Sequence, residues 1–116
     1  MGLDELSQRV VAFRDARDWK QYHTPKDLAI SISLESAELL ELFQWKTHEQ
    51  ISAELKDERK REKLSHELAD IIIYCLSLSD VTGIKLDDAV IRKLAVNEAK
   101  YPVEKVKGSA KKYDEY

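Results

Sequence analysis

Residues 64–81, LSHELADIIIYCLSLSDV, decide the fold class that we predict for this chain of 116 residues. Apolar side chains such as Leu64, Leu68 and Ile71 recur at spacings of three and four residues, which is the period of an α-helix. Further along the segment, apolar residues cover most of the helix surface, so we expect this helix to be central. The charged run 57–63 precedes it and is typical of an exposed first turn rather than of a binding site.

Few helix breakers interrupt the rest of the chain. Thr24 and Pro25 mark a helix start, because a hydroxyl N-cap is followed by proline at the first helical position. Gly83 suits a helix C-cap, where a left-handed residue is common. Strand-like alternation is not sustained anywhere in the sequence. We therefore expect an all-α four-helix bundle, with principal helices at about 3–19, 25–45, 57–81 and 86–101 and a short helical turn from 47.

Length and composition narrow the class of protein. The length suits one domain, and we expect a helical catalytic domain over 1–102 and a polar, lysine-rich tail over 103–116. The formal net charge is −3, which argues against a nucleic-acid-binding surface. The single cysteine, Cys75, excludes an internal disulfide and lies in an apolar run, as a small core residue would. No segment approaches the ~18 apolar residues of a membrane span, so a cytoplasmic protein is expected.

Two pairs of acidic residues lie within apolar sequence. Glu35 and Glu38 are three residues apart on the second predicted helix, and Glu67 and Asp70 are three apart on the third. Residues at this spacing share one helix face. Four carboxylates facing one another near a core would repel strongly, and a divalent cation would remove that cost. All four are hard oxygen ligands, with no matching histidine or cysteine, which favours Mg²⁺, with Mn²⁺ as the alternative, over zinc.

Such a site points to cleavage of a phosphate ester or anhydride, because Mg²⁺ accepts phosphate oxygens and activates water. A plainer explanation stays open at this point. An acidic pair at i,i+3 is often a solvated helix face, and the chain could be a non-catalytic, oligomeric helical interaction module.

The two acidic motifs carry a family resemblance. Glu35-x-x-Glu38 and Glu67-x-x-Asp70 resemble the EXXE…EXXD signature of the MazG-like all-α nucleoside triphosphate pyrophosphohydrolases. Further stretches are similar to the dCTP pyrophosphatase branch of that family, in the family's order: 17–19, His23-x-Pro25, 38–46, 70–74, Lys93, Asn97, Tyr101-Pro102 and Lys112-Tyr113.

The resemblance implies an enzyme that hydrolyses a nucleoside triphosphate to the monophosphate and pyrophosphate. It makes Glu35, Glu38, Glu67 and Asp70 the Mg²⁺ ligands. It also gives one of the glutamates, Glu38 ahead of Glu35, a part in orienting the attacking water. The family's members form homo-oligomers whose sites are lined by more than one subunit, and a tetramer built as a dimer of dimers is favoured over a dimer.

The resemblance also implies which residues bind the nucleotide. Trp19 and Trp45 would flank the base, since an indole ring offers a flat face for stacking. Tyr74 would lie near the sugar and disfavour a ribose 2′-hydroxyl. The remaining substrate-binding candidates are Lys93 and Asn97 for phosphate or sugar, and a closing tail with Tyr101, Lys112 and Tyr113. His23 is a further candidate, equally open to the edge of the site and to a surface loop.

One position departs from the family pattern. The animal dCTP pyrophosphatases have a histidine on the first helix that lines the base pocket, and the corresponding residue here is Val10. A valine cannot donate a hydrogen bond to a base edge. The preference for cytosine is therefore open. The resemblance implies dCTP or a related or modified pyrimidine nucleotide as substrate, and the same chemistry on another nucleotide such as dUTP is the alternative.

Overall fold

A computed structural model of the chain describes residues 1–108. Its backbone divides into two compact units, Met1–Gly83 and Ile84–Tyr116. Within the described residues the regular secondary structure is helical throughout. The expected all-α fold with four long helices is thus confirmed. None of the described helices is both long enough and apolar enough to cross a membrane.

The first unit holds four α-helices, with α4 as its longest element. α4 packs along α2 and, less extensively, along α1. The core is small, since Leu28 of α2 and Leu76 of α4 are each only 1% exposed. The helices in chain order are α1 (Leu3–Ala16), a 3₁₀ turn (Lys20–Tyr22), α2 (Pro25–Glu41), α3 (His48–Glu54) and α4 (Glu58–Thr82).

Local sequence signals explain where these helices begin and end. Thr24 caps α2 by accepting a hydrogen bond from the backbone N–H of Asp27 at 3.2 Å. Thr47 and Gln50 form a capping box at the start of α3, where each side chain accepts from the other's backbone N–H. Gly83 ends α4 with φ +72°, a left-handed conformation that glycine adopts without strain.

α1 is shorter than its periodicity predicts, and the reason is a left-handed residue. The prediction extended this helix to Trp19, whereas α1 ends at Ala16. Asp18 has φ +53°, and the backbone N–H of Trp19 donates to the carbonyl of Arg14 at 3.1 Å. With Asp18 N–H donating to Asp15 at 3.1 Å, this is a Schellman motif. The chain therefore reverses here and turns the Trp19 ring back towards α1.

α2 is also shorter than predicted. It ends at Glu41 instead of Trp45, and the following residues form turns. The N–H groups of Leu42 and Phe43 donate to carbonyls three residues earlier, at 3.2 and 2.9 Å, which tightens the last turn. Trp45 then adopts φ +67°, which an α-helix cannot accommodate.

The second unit contains α5 (Leu86–Lys100) and the single helical turn α6 (Val103–Val106). α5 agrees with the predicted fourth helix. The predicted tail begins with a helical turn, since α6 covers Val103–Val106. The division into a catalytic domain over 1–102 and a lid-forming tail over 103–116 stays a prediction.

Candidate active site

Three carboxylates converge where α2 packs along α4. One side-chain oxygen from each of Glu35, Glu38 and Glu67 lies within 4.8 Å of the other two. The spacing of Glu35 and Glu38 puts both on the face of α2 that meets α4. Glu35 and Glu67 are partly buried, and Glu38 is exposed. This cluster was predicted from the sequence as part of a metal site.

Two buried oxygens of the cluster have no hydrogen-bond donor. Oε2 of Glu35 and Oε2 of Glu67 are inaccessible to solvent and have no partner among the described residues. A buried carboxylate oxygen without a partner is costly, and a cation is one way to satisfy it. Because every ligand atom in the cluster is a carboxylate oxygen, the residues present fit a hard divalent cation.

The electrostatics of the cluster agree with that fit. Burial, followed by the neighbouring acids Glu38, Glu67 and Asp70, raises the pKa of Glu35 to about 7. Both causes act in the same direction, because each disfavours the ionised carboxylate. A cation at the cluster would favour ionisation and so reverse this shift.

Asp70, the fourth predicted ligand, lies beside this cluster rather than within it. The group of mutually close carboxylates comprises three residues, and Asp70 follows Glu67 by three residues on α4. The negative charge of Asp70 helps to raise the pKa of Glu35, so Asp70 interacts electrostatically with the cluster. The part of Asp70 in metal binding stays a prediction.

Next to Asp70 the first unit contains a cavity of about 220 Å³. It brings together three residues that the sequence predicted for substrate binding, Trp19, His23 and Tyr74. Its lining residues are Val10, Phe13, Arg14, Trp19, His23, Asp70, Ile73, Tyr74 and Ser77.

The aromatic wall of the cavity is held in place by its neighbours. Trp19 packs edge-on against Phe13, with ring centroids 5.8 Å apart and an interplanar angle of 74°. The guanidinium of Arg17 lies over the Phe13 ring at 3.7 Å from its centroid. Trp19 nevertheless remains 44% exposed, so part of its indole face is available to a ligand.

His23 contributes an unpartnered polar atom to the cavity. Its Nδ1 is buried and has no hydrogen-bond partner among residues 1–108. The sequence left His23 equally open to a surface loop and to the edge of the site. The structure puts the residue in the lining of the cavity.

Arg14 is a cavity residue that the sequence analysis missed. It is only 3% exposed, and its guanidinium donates to Asp15 at 2.9 Å and to Asp80 at 2.7 Å. The helical spacing of Val10 and Arg14 could have placed both on one face of α1. The sequence had no signal for the pairing with Asp80, which lies 66 positions further along the chain.

The remaining predicted site residues lie elsewhere in the chain. Trp45 is 93% exposed in the turn after α2. Lys93 and Asn97 lie four residues apart on α5 and Tyr101 at its C-terminal end, all in the second unit. Lys112 and Tyr113 lie outside the described residues. The roles of all six in substrate binding stay predictions.

A family model and several known proteins match most of this chain. Residues 30–116 match the model of the MazG-like family. The chain is 38% identical over 111 residues to dCTP pyrophosphatase 1 of Bos taurus, which covers 96% of this chain and 66% of the relative. It is 34% identical over 113 residues to dCTP pyrophosphatase 1 of Homo sapiens, with 97% and 66% covered. The chain thus spans about two thirds of the length of these relatives.

A crystal structure of a pyrophosphatase from Archaeoglobus fulgidus is similar in fold and in sequence. The TM-score is 0.79 at 48% sequence identity, with 86% of this chain and 92% of the other covered.

Proposed function

Because this chain belongs to the MazG-like family, we propose that it hydrolyses a nucleoside triphosphate to the monophosphate and pyrophosphate. The observation that carries the proposal is the cluster of Glu35, Glu38 and Glu67 beside a cavity with an aromatic wall. The similarity to proteins named dCTP pyrophosphatase 1 supports dCTP, or a related or modified pyrimidine nucleotide, as the substrate. dUTP is the alternative.

The acidic residues would hold Mg²⁺, with Mn²⁺ as the alternative, and Asp70 would complete the ligand set. The bound ion would neutralise phosphate charge and lower the pKa of a coordinated water. Glu38 is the exposed acid of the cluster, so its carboxylate is the one best placed to orient the attacking water and take its proton. The water oxygen would bond to one phosphorus of the α–β anhydride, and the bond from that phosphorus to the bridging oxygen would break, which gives the monophosphate and pyrophosphate.

The cavity would receive the nucleoside. Trp19 offers its exposed indole face for stacking, and Tyr74 lies one helical turn past Asp70, where a sugar would follow the phosphates. His23 offers its free ring nitrogen to the base. Nucleotide contacts are also proposed for the remaining predicted residues, which are Trp45, Lys93, Asn97, Tyr101, Lys112 and Tyr113.

We also infer that the enzyme is a homo-oligomer in the cytoplasm, with a tetramer of two dimers favoured over a dimer. An apolar groove of about 400 Å³ between α1 and α4 supports self-association. Leu68 and Ile72 line it and are each nearly half exposed. Exposed apolar surface of this kind is typical of a protein interface.

The proposed function is tested by following hydrolysis of a panel of nucleotides with Mg²⁺ and with EDTA. We expect turnover only with the cation, and a loss of at least 100-fold in kcat for Glu38→Gln. Glu41→Gln, an exposed acid one turn further along α2, is the matched control and should retain activity. Mg²⁺-independent turnover, or full activity of Glu38→Gln, would contradict the proposal.

The non-catalytic interaction module remains the second candidate. It predicts that neither Mg²⁺ nor any nucleotide changes the melting temperature, whereas ligand binding to the native state should raise it.

A further inference from the structure

A buried arginine lines the proposed nucleoside cavity. Arg14 is 3% exposed and lies among the lining residues of the cavity, close to Trp19 and His23 in the same lining. Burial by itself would lower the pKa of Arg14. The hydrogen bonds and charges of Asp15 and Asp80 outweigh that effect and raise the pKa above its ordinary value. The cavity therefore contains a permanently cationic side chain.

The guanidinium has hydrogen-bonding capacity that the protein does not use. An arginine carries five N–H donors in a planar fork. Nε donates to Asp15 and Nη1 donates to Asp80, and Nη2 has no partner among the described residues. Because Arg14 lines the cavity, the N–H groups that do not donate to Asp15 or Asp80 are open to a ligand with acceptor atoms.

Arg14 lies near Val10, the position where the family resemblance leads one to expect a histidine. Both residues line the cavity, and they lie four positions apart on the same face of α1. The donor that the family resemblance leads one to expect at position 10 is absent. Arg14 offers a donor one helical turn later, from the same helix and into the same cavity.

We propose that Arg14 is a specificity-determining residue whose free N–H groups donate to the acceptor edge of the nucleobase. This inference rests on the proposed function. Cytosine presents two adjacent acceptors, O2 and N3, which suit a guanidinium fork. Uracil and thymine carry a proton on N3 and cannot accept there. The unpartnered Nδ1 of His23 can accept from the exocyclic amino group of the same base.

The test compares dCTP with 3-deaza-dCTP, in which a C–H replaces the N3 acceptor. We expect kcat/KM of the wild-type enzyme to fall by roughly 5- to 150-fold for the analogue, the range of a lost bidentate arginine contact. In Arg14→Met the two substrates should be hydrolysed with nearly equal kcat/KM. Arg9→Met, an exposed arginine on the same helix, is the matched control and should discriminate like the wild type.

The ratio of the two kcat/KM values distinguishes a role of Arg14 in base recognition from a purely structural role. A purely structural Arg14 would lower both values by the same factor, so an unchanged ratio in Arg14→Met overturns the inference. Equal kcat/KM for the two substrates in the wild type also overturns it, even if the variant does not fold. Failure of the wild type to hydrolyse any nucleotide would instead refute the proposed function.

A double variant provides a rescue. Val10→His added to Arg14→Met restores a ring donor on the same face of α1. If a donor on this face of α1 sets the base preference, the double variant should discriminate in part against 3-deaza-dCTP. A double variant that does not discriminate at all would count against the inference.

Discussion

At the scale of single residues, the acidic cluster is electrostatically unfavourable in the cation-free protein. Oε2 of Glu35 and of Glu67 is buried without a partner, and the pKa of Glu35 is raised by its surroundings. These features reduce the stability of the cation-free protein. They are typical of a functional site, where stability is sacrificed for ligand binding.

Glu35→Gln should therefore increase the stability of the protein in EDTA by about 1 kcal/mol, because it removes one charge from the repulsive cluster. The same variant should lose the rise in melting temperature that Mg²⁺ produces in the wild type. Thermal denaturation with and without Mg²⁺ measures both effects. A destabilised variant that still responds to Mg²⁺ would contradict the proposed metal site.

At the scale of secondary structure, two left-handed residues define the ends of the helices beside the site. Asp18 ends α1 and brings Trp19 against Phe13, and Trp45 follows the last turns of α2 with φ +67°. A large side chain in this conformation is strained by about 1–2 kcal/mol. Such strain is common at residues that act on a ligand.

Trp45→Gly should raise the stability of the protein by up to about 1 kcal/mol, since glycine adopts positive φ freely and the indole buries little surface. Its kcat/KM should fall if Trp45 stacks on the base. Trp45→Phe keeps both an aromatic ring and the strain, so its stability should match the wild type. Chemical denaturation and kinetics together measure this, and a destabilised but fully active glycine variant would refute the prediction.

An ion pair between Arg14 of α1 and Asp80 of α4 joins the two helices. Asp80→Ala removes one counterion from a buried guanidinium and should cost about 2 kcal/mol, less than a fully buried pair because the Asp80 side chain is 34% exposed. Asp15→Ala is the control and should cost less, since its side chain is 53% exposed. Urea denaturation measures the free energy of unfolding of both variants. Equal losses of stability would contradict the larger contribution that we assign to Asp80.

Several helix boundaries and the two acidic pairs were predictable because each depends on local sequence. Thr24 and Pro25 begin α2, Gly83 ends α4, and the i,i+3 spacing puts Glu35 and Glu38 on one face. The early ends of α1 and α2 were not predictable. Aspartate marks a left-handed turn far less strongly than glycine does, and tryptophan does not mark one at all.

The lining of the cavity was only partly predictable. Trp19, His23 and Tyr74 were named individually through the family resemblance. Arg14 was missed because its role depends on Asp80, far along the chain and on another helix.

At the scale of the whole molecule, the small core of the first unit contrasts with its exposed apolar surface. Ile72 on α4 is 46% exposed in the groove between α1 and α4. A chain of this length benefits from burying such surface against a second copy.

Because we propose self-association through this groove, Ile72→Asp is expected to shift the protein to a smaller oligomer, since it would bury a carboxylate in the apolar interface. Gln8→Asp introduces the same charge at an exposed position of α1 and is the control. Light scattering during size-exclusion chromatography gives the mass of each. An Ile72→Asp protein of unchanged oligomeric mass would exclude this groove as the interface.

We propose that the acidic cluster and the adjacent cavity cleave a nucleoside triphosphate between its α- and β-phosphates. The most direct measurement is ³¹P NMR of the products that the purified protein forms from dCTP and Mg²⁺. We expect dCMP and pyrophosphate in equal amounts. Formation of dCDP and inorganic phosphate, or no turnover of dCTP or any other nucleoside triphosphate, would contradict it.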